Sequence, residues 1–267
     1  MLNSDEIAKQ TLTQLGFIVE KLPEATESGK KMPDFFVRYG SSSALVEAKL
    51  KVDDPDQAIL RENVLTSGEA YVSDHVLGRN ETLSGIVRNG SKQLKAAIEF
   101  EADFNVIFFL MNCINARAVR EQLVDTLYGR TMVMEYGKPS QLKACYFYRN
   151  SDFYRRQEID AAIVGYSEAN GGDLKFRICL NPYSPHHNEL KASEFLLPFG
   201  PAVTDPISEE QAGLAYIPDA GVERREQNFM RLFSFCDPVL LHLAAKYGTA
   251  PLVRLDFNAP EISIRSR

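Results

Sequence analysis

Alternating apolar and polar positions mark two neighbouring strands near the N-terminus. Residues 32–37 and 44–51 are largely apolar runs, and the Gly- and Ser-rich residues 40–43 between them are typical of a tight turn. Because successive side chains of a strand point to opposite faces, Glu47 and Lys49 share one face of the second run, and the aliphatic residues between and after them share the other. The pattern predicts a β-hairpin with one face turned to a core and one polar face.

Helical periodicity precedes and follows this hairpin. An apolar stripe predicts a first helix that begins at Asn3 and ends at Gly16, and residues 17–19 then form a short strand. Over residues 83–98, small and aliphatic residues line one face of a second helix. Residues 55–82 have little periodicity, and we expect a helix followed by a loop over the hairpin there.

The rest of the chain predicts a sheet with further helices. Residues 105–111 are almost continuously apolar, which is typical of a central strand covered on both faces. A helix is expected over residues 116–128. Four more strand-like runs are expected to extend the same sheet, at residues 132–134, 144–148, 159–164 and 174–180.

The C-terminal part has a different composition. Residues 181–219 contain six prolines and are expected to form an extended connection, and residues 228–247 predict one or two helices. We therefore predict an α/β domain over residues 1–200 and a C-terminal extension over residues 201–267 that packs on the same domain.

The predicted hairpin brings two carboxylates and an ammonium group together. Asp34 on the first strand lies near Glu47 on the second, and Lys49 shares the face of Glu47. Carboxylate oxygens are the usual protein ligands of Mg²⁺, which keeps several of its waters. A neighbouring lysine can orient a water or stabilise charge that develops on a phosphate. The residues are those of a metal site that acts on phosphates.

The arrangement Pro33-Asp34, spacer, Glu47-Ala48-Lys49 resembles the motif of the PD-(D/E)xK nuclease superfamily. The resemblance implies a restriction-endonuclease-like fold, an α/β fold with a mixed central sheet flanked by helices, here extended by further strands and a C-terminal helical segment. It implies a Mg²⁺-dependent DNA endonuclease, with Mn²⁺ as a substitute. Asp34 and Glu47 would hold the metal, the main-chain carbonyl of Ala48 would be a further ligand, and Lys49 would stand beside the attacking water.

The resemblance also implies additional site residues. Some relatives carry an acid on the first helix, which corresponds to Glu6, although a helix-capping role fits Glu6 as well. Relatives commonly direct a glutamine or a basic residue from the helix after the Glu-x-Lys strand toward the site, which corresponds to Gln93 or Lys92.

Basic residues lie on the face of this second helix that is opposite its apolar stripe. Arg88, Lys92 and Lys95 have i, i+4 and i+7 spacing, and we expect them to contact nucleic acid. An ordinary solvated helix face explains them equally well. The net charge of −6 argues against a protein that coats nucleic acid nonspecifically, but it allows a locally basic groove.

Other interpretations of the motif remain open. The hairpin could be a surface element whose Asp, Glu and Lys side chains pair across strands. The same fold could serve as a non-catalytic nucleic-acid-binding or interaction module, or the motif could be fortuitous in a structural α/β protein. The choice between DNA and RNA, and between duplex, branched and single-stranded substrates, is also open. A homodimer is reasonable, because cutting both strands of a duplex often requires two active sites.

Composition sets the remaining bounds. The chain has 267 residues, 45% of them hydrophobic, and contains no apolar run long enough to span a bilayer. The N-terminus lacks the pattern of a signal peptide, so we expect a cytoplasmic protein without membrane contact. Four widely spaced cysteines are expected to be reduced, and their spacing matches no common zinc pattern.

Overall fold

Strands and helices alternate through most of the chain. A computed structural model describes residues 4–25, 31–97, 100–138, 141–166, 174–224 and 237–265. The strands are β1 (Ile18–Lys21), β2 (Phe35–Tyr39), β3 (Ser42–Val52), β4 (Tyr71–Val76), β5 (Phe104–Asn112), β6 (Thr131–Glu135), β7 (Leu142–Cys145), β8 (Ala161–Tyr166), β9 (Lys175–Leu180), β10 (Val203–Thr204), β11 (Ala215–Tyr216), β12 (Leu252–Leu255) and β13 (Asn258–Ser263).

The helices lie between these strands and cover the sheets. They are α1 (Ser4–Gln14), α2 (Pro55–Thr66), α3 (Glu81–Ala96), α4 (Ala116–Tyr128), α5 (Asp152–Arg155), α6 (His187–Ala192), α7 (Pro206–Gln211) and α8 (Pro238–Tyr247), with a 3₁₀ helix at Glu194–Phe199. None of the helices in the described ranges has the length and apolar character needed to cross a bilayer.

A seven-stranded mixed sheet forms the centre of the fold, with the order β1-β2-β3-β5-β8-β9-β10. Strands β1, β2 and β3 pair antiparallel, whereas β3, β5 and β8 run parallel. Strand β9 is antiparallel to β8 and parallel to β10. The chain therefore has a mixed α/β fold, in which a large mixed sheet is flanked by helices.

The predicted hairpin and central strand are confirmed. Strands β2 and β3 are joined by the two-residue turn Gly40-Ser41, and Gly40 adopts a φ of 58°, a left-handed conformation that glycine tolerates. Strand β5 is the fourth strand of the seven, and its residues from Val106 to Met111 are buried. A strand in this position has helices over both faces, which explains its continuous apolar run.

Two cores lie on opposite faces of the large sheet. On one face, α3 and α4 pack over the β3 and β5 side chains Leu45, Ile107 and Phe109. On the other face, α1 and the 3₁₀ helix cover Val46 and Ala48 among others. The aliphatic face of β3 therefore meets a core as predicted, but its polar face is also covered.

The expectation that all later strands extend one sheet is wrong in part. Strands β8 and β9 extend it, but β6 and β7 belong to a separate four-stranded sheet of order β11-β7-β6-β12, which packs against α8. Strand β7 ends at Cys145, and two residues later Phe147 has a φ of 58°, which is incompatible with an extended strand. The predicted strand over residues 144–148 is therefore too long.

Two other predictions for connecting segments need correction. The helix predicted in residues 55–82 is α2, but β4 stands where a loop was expected and pairs antiparallel with β13. Residues 181–219 are not an extended connection, because they form α6, the 3₁₀ helix, β10, α7 and β11. Proline is accommodated at helix starts there, as at Pro206, where the Asp205 side chain caps α7.

The C-terminal part joins both sheets of the N-terminal part. Strand β10 pairs with β9, and β12 pairs with β6, so residues after 200 complete sheets that begin before 200. The predicted domain boundary at residue 200 stays a prediction. Of the helices predicted over 228–247, α8 is confirmed, and residues 225–236 lie outside the described residues.

Candidate active site

Asp34 lies at the point where β2 begins and its pairing with β3 ends. Its main-chain carbonyl accepts the Leu22 N–H at 2.9 Å, which ties the residue to the end of β1. Its Oδ2 accepts the Ala48 N–H of β3 at 2.8 Å. Since an amide in the sheet needs an acceptor and β2 no longer supplies one, the Asp34 carboxylate takes that role. This bond holds Asp34 beside Glu47.

Glu47 is completely buried in the middle of β3. Helix α3 packs over this part of β3, and it approaches closely because Gly90 has no side chain. A Cβ at Gly90 would lie 3.0 Å from Cδ1 of Ile107 and 3.5 Å from Cγ of Glu47. The glycine therefore lets α3 cover the Glu47 carboxylate and exclude solvent from it.

Lys49 is the cation of this site. Its Nζ is in direct contact with Oε1 of Glu47 and donates to Oε1 of Gln93 at 3.0 Å. Gln93 in turn donates through Nε2 to the Met32 carbonyl at 3.4 Å. Gln93 thus links α3 to the segment before Asp34 and orients the Lys49 ammonium group, as its predicted position suggested.

The site holds more negative than positive charge, and the pKa values reflect this. Burial, together with the nearby charge of Asp34, raises the pKa of Glu47 to about 8, although the contact with Lys49 opposes the shift. Burial also raises the pKa of Asp34, although the Ala48 N–H and Lys49 oppose the shift. Two carboxylates share one lysine, so neither is fully compensated.

On the first helix the charge of Asp5 acts on Asp34, and the predicted role of the adjacent Glu6 stays a prediction. The charge of Asp5 raises the pKa of Asp34, and Asp5 forms an ion pair with Lys21 at 3.0 Å. Glu6, the predicted additional acid, is exposed on α1. Choosing between adjacent acids requires the rotation of α1 about its axis, which only packing sets.

The oxygen donors of this site are those that a hard divalent cation prefers. Oε2 of Glu47 is buried and has no hydrogen-bond partner, and it belongs to a carboxylate whose charge interacts with that of Asp34. No group of three or more His, Cys, Asp or Glu side chains in the described residues is arranged to hold a metal. Two carboxylates fit Mg²⁺, because this ion keeps several waters and is commonly bound through one or two carboxylates. The structure ties Ala48 to Asp34 through its amide, and the predicted role of its carbonyl stays a prediction.

Of the three predicted basic residues on α3, one lies beside the site and two do not. Lys92 lines an open groove of about 580 Å³ together with Lys31, Lys49 and Gln93, and no acidic side chain lines this groove in the part of the chain that the structure describes. Lys95 forms an ion pair with Glu158 at 3.0 Å outside the groove. Arg88 is exposed and does not line the groove. Lys92 alone of the three is therefore beside the site.

Two features of the site were not found from the sequence. The Met32 carbonyl, which holds Gln93, is a main-chain atom and leaves no pattern. Gly90 does leave a signal, because glycine inside a helix costs about 1 kcal/mol relative to alanine and usually has a packing reason. A close packing contact at Gly90 could therefore have been predicted from the sequence.

Comparisons with family models, with curated proteins and with solved structures find no match to this chain.

Proposed function

We propose that this chain is a Mg²⁺-dependent nuclease that hydrolyses phosphodiester bonds, with DNA as its expected substrate. The observation that carries the proposal is the pair Asp34 and Glu47, two adjacent carboxylates that share one lysine, with Oε2 of Glu47 buried and unpartnered. A buried carboxylate oxygen without a partner is costly, and a divalent cation would remove that cost.

The side chains have distinct roles in this proposal. Asp34 and Glu47 hold the cation, and the hydrogen bond from Ala48 fixes the Asp34 carboxylate. Lys49 positions a water and neutralises charge that develops on the phosphate, while Gln93 keeps the ammonium group in place. When bound, Mg²⁺ supplies Lewis-acid stabilisation and lowers the pKa of a water.

The groove beside Lys49 supports a nucleic-acid substrate. Its three lysines, Lys31, Lys49 and Lys92, present positive charge to a phosphate backbone with no acidic lining among the described residues. Leu50 and Ile86 add apolar surface that suits a sugar or base. The mixed sheet, with α1 before β1 and the hairpin β2-β3 carrying the motif, supports the restriction-endonuclease-like assignment of the fold.

Cleavage of supercoiled plasmid, labelled single-stranded DNA and labelled RNA, each with Mg²⁺, Mn²⁺ or EDTA, tests the proposal. We expect metal-dependent cleavage that Asp34→Asn and Lys49→Ala each reduce by at least about 10²-fold, because each removes a group that stabilises the transition state. Lys9→Ala, an exposed lysine on α1, is the matched control and should cut at the parental rate. Equal cleavage by the parent and Asp34→Asn would refute the assignment.

A second candidate is a non-catalytic nucleic-acid-binding module on the same fold. It is favoured by the contact of Lys49 with Glu47, which leaves the lysine already paired inside the protein. This candidate predicts oligonucleotide binding that EDTA leaves unchanged, and no cleavage with either metal. The nuclease instead predicts a higher melting temperature in millimolar Mg²⁺, and Asp34→Asn should abolish that gain. A homodimer and a cytoplasmic location stay predictions.

A further inference from the structure

A second cleft lies where the large sheet meets the four-stranded sheet, on the side of the large sheet that α4 covers. Its volume is about 630 Å³. Four cationic side chains line it, and we call it the arginine cleft after them: Arg120, Arg130, Lys175 and Arg177. The lining shares no residue with the groove beside Lys49.

Positive charge is concentrated in the arginine cleft although the whole chain carries a net charge of −6. The acid among its lining residues is Glu209, which accepts the Tyr146 hydroxyl at 2.7 Å. Beneath the lining, Glu121 and Asp125 each bind Arg130 at 2.6 Å. These acids offset part of the positive charge and hold Arg130 in place.

Arg177 lies outside this network of acids. It is half-buried on β9, and no described residue forms an ion pair with it. Its charge acts on the buried thiol of Cys179, two residues along the same strand face. Partial burial of a guanidinium group without a carboxylate costs free energy, which an anion in the cleft would offset.

Arg120 is preorganised beside it. Its guanidinium lies 4.4 Å from the centre of the Tyr166 ring and also contacts Glu121. Stacking on a ring and bonding to a carboxylate restrict the side chain, so little conformational entropy is lost when it meets a ligand. Thr204 adds a hydroxyl group to the lining.

We propose that the arginine cleft binds a ligand that carries a phosphate monoester, with Arg177 as the principal contact and Arg120 as the second. Several guanidinium groups suit the multiple charges and oxygens of a phosphate better than the single charge of a carboxylate. The cleft is much larger than one phosphate group and contains the Tyr166 ring, which fits a ligand with an organic part. This site is separate from the proposed nuclease site and does not depend on it.

Calorimetric titration in EDTA tests the proposal, with inorganic phosphate and a nucleoside 5′-monophosphate as separate probes. We expect saturable binding of one molecule per chain, weakened about tenfold or more by Arg177→Gln, because a hydrogen bond to a charged group is lost. Arg177→Lys should retain part of the affinity. Arg117→Gln, an exposed arginine one turn from Arg120 on α4, should bind as the parent does.

The two probes identify the ligand class. Equal affinity for both would mean that the phosphate alone is recognised, and tighter binding of the nucleotide would mean that its organic part is recognised too. Absence of binding by both probes, or equal binding by the parent and a folded Arg177→Gln, would overturn the proposal. Binding lost in Lys49→Ala would also overturn it, because the probe would then occupy the other groove. EDTA and a binding readout keep this result independent of cleavage.

Discussion

Glu47 and Glu121 are both withdrawn from solvent and both contact a cation, yet their pKa values shift in opposite directions. Burial and the charge of Asp34 raise the pKa of Glu47 to about 8, despite Lys49. Burial also opposes ionisation of Glu121, but Arg130 and Arg120 outweigh it, and its pKa is lowered. At Glu47 burial outweighs the single lysine, whereas at Glu121 two arginines outweigh burial.

The difference separates a structural cluster from a candidate site. Arg130 bonds both Glu121 and Asp125, and Arg120 adds a second cation at Glu121, since guanidinium groups can bond two carboxylates at once. Asp34 and Glu47 share one lysine, a single point charge. The first cluster has two arginines for two carboxylates, although burial still raises the pKa of Asp125, whereas the second has one lysine for two carboxylates. That deficit is where a bound cation would add most to stability.

Removal of Arg130 should have the largest effect on folding. Arg130→Ala leaves Glu121 and Asp125 without their shared partner, and we expect a loss of about 3–5 kcal/mol in the free energy of unfolding. Urea denaturation at pH 7 measures it. Arg117→Ala, an exposed arginine on the same helix, should change stability by no more than about 0.5 kcal/mol. Similar small effects for both would mean that the cluster is not structural.

Glu47→Gln should have the opposite and smaller effect. The folded pKa of Glu47 lies near 8 and the unfolded pKa near 4.5, so the folded state binds the proton more tightly. Its contribution to stability is present below pH 4.5 and is lost as pH rises toward 8. In EDTA, the variant should be close to the parent in stability at pH 5 and clearly more stable than the parent at pH 8.

Matched melts of parent and Glu47→Gln at these two pH values check this, with Glu69→Gln, an exposed glutamate, as the control. Millimolar Mg²⁺ should stabilise the parent at pH 8 and leave Glu47→Gln nearly unchanged. A variant that is less stable than the parent at pH 8 would show that the Lys49 contact outweighs burial.

Alanine substitutions at two glycines of α3 should have the smallest effects on stability. They test how closely α3 packs over Glu47. Gly90→Ala places a Cβ 3.0 Å from Ile107, so we expect a loss of about 1 kcal/mol and slower cleavage as Gln93 moves away from Lys49. Gly85→Ala meets no atom within 4 Å and should gain up to about 1 kcal/mol from helix propensity. Urea denaturation and the plasmid assay measure both, and a gain for both variants would contradict the close packing.

Local patterns predicted much of the fold. The hairpin β2-β3, the central strand β5 and the helices α1, α3, α4 and α8 all carry periodicity or turn residues within a few positions of one another. The pairing of β4 with β13 joins residues more than 180 positions apart, and no local pattern reports it. The second sheet was not predicted for the same reason, since β6 pairs with β12 and β7 pairs with β11, and both partners lie far along the chain.

The candidate site shows the same division. The residue types at Asp34, Glu47 and Lys49, and the shared face of the last two, follow from the order of the chain and the two-residue period of a strand. Their chemistry depends on burial, on the Ala48 amide bound to Asp34, and on the approach of α3 through Gly90. These come from elements distant in sequence. The sequence alone determined which charged groups lie together. Tertiary packing decided how deeply they are buried, and so how little solvent stabilises their charges.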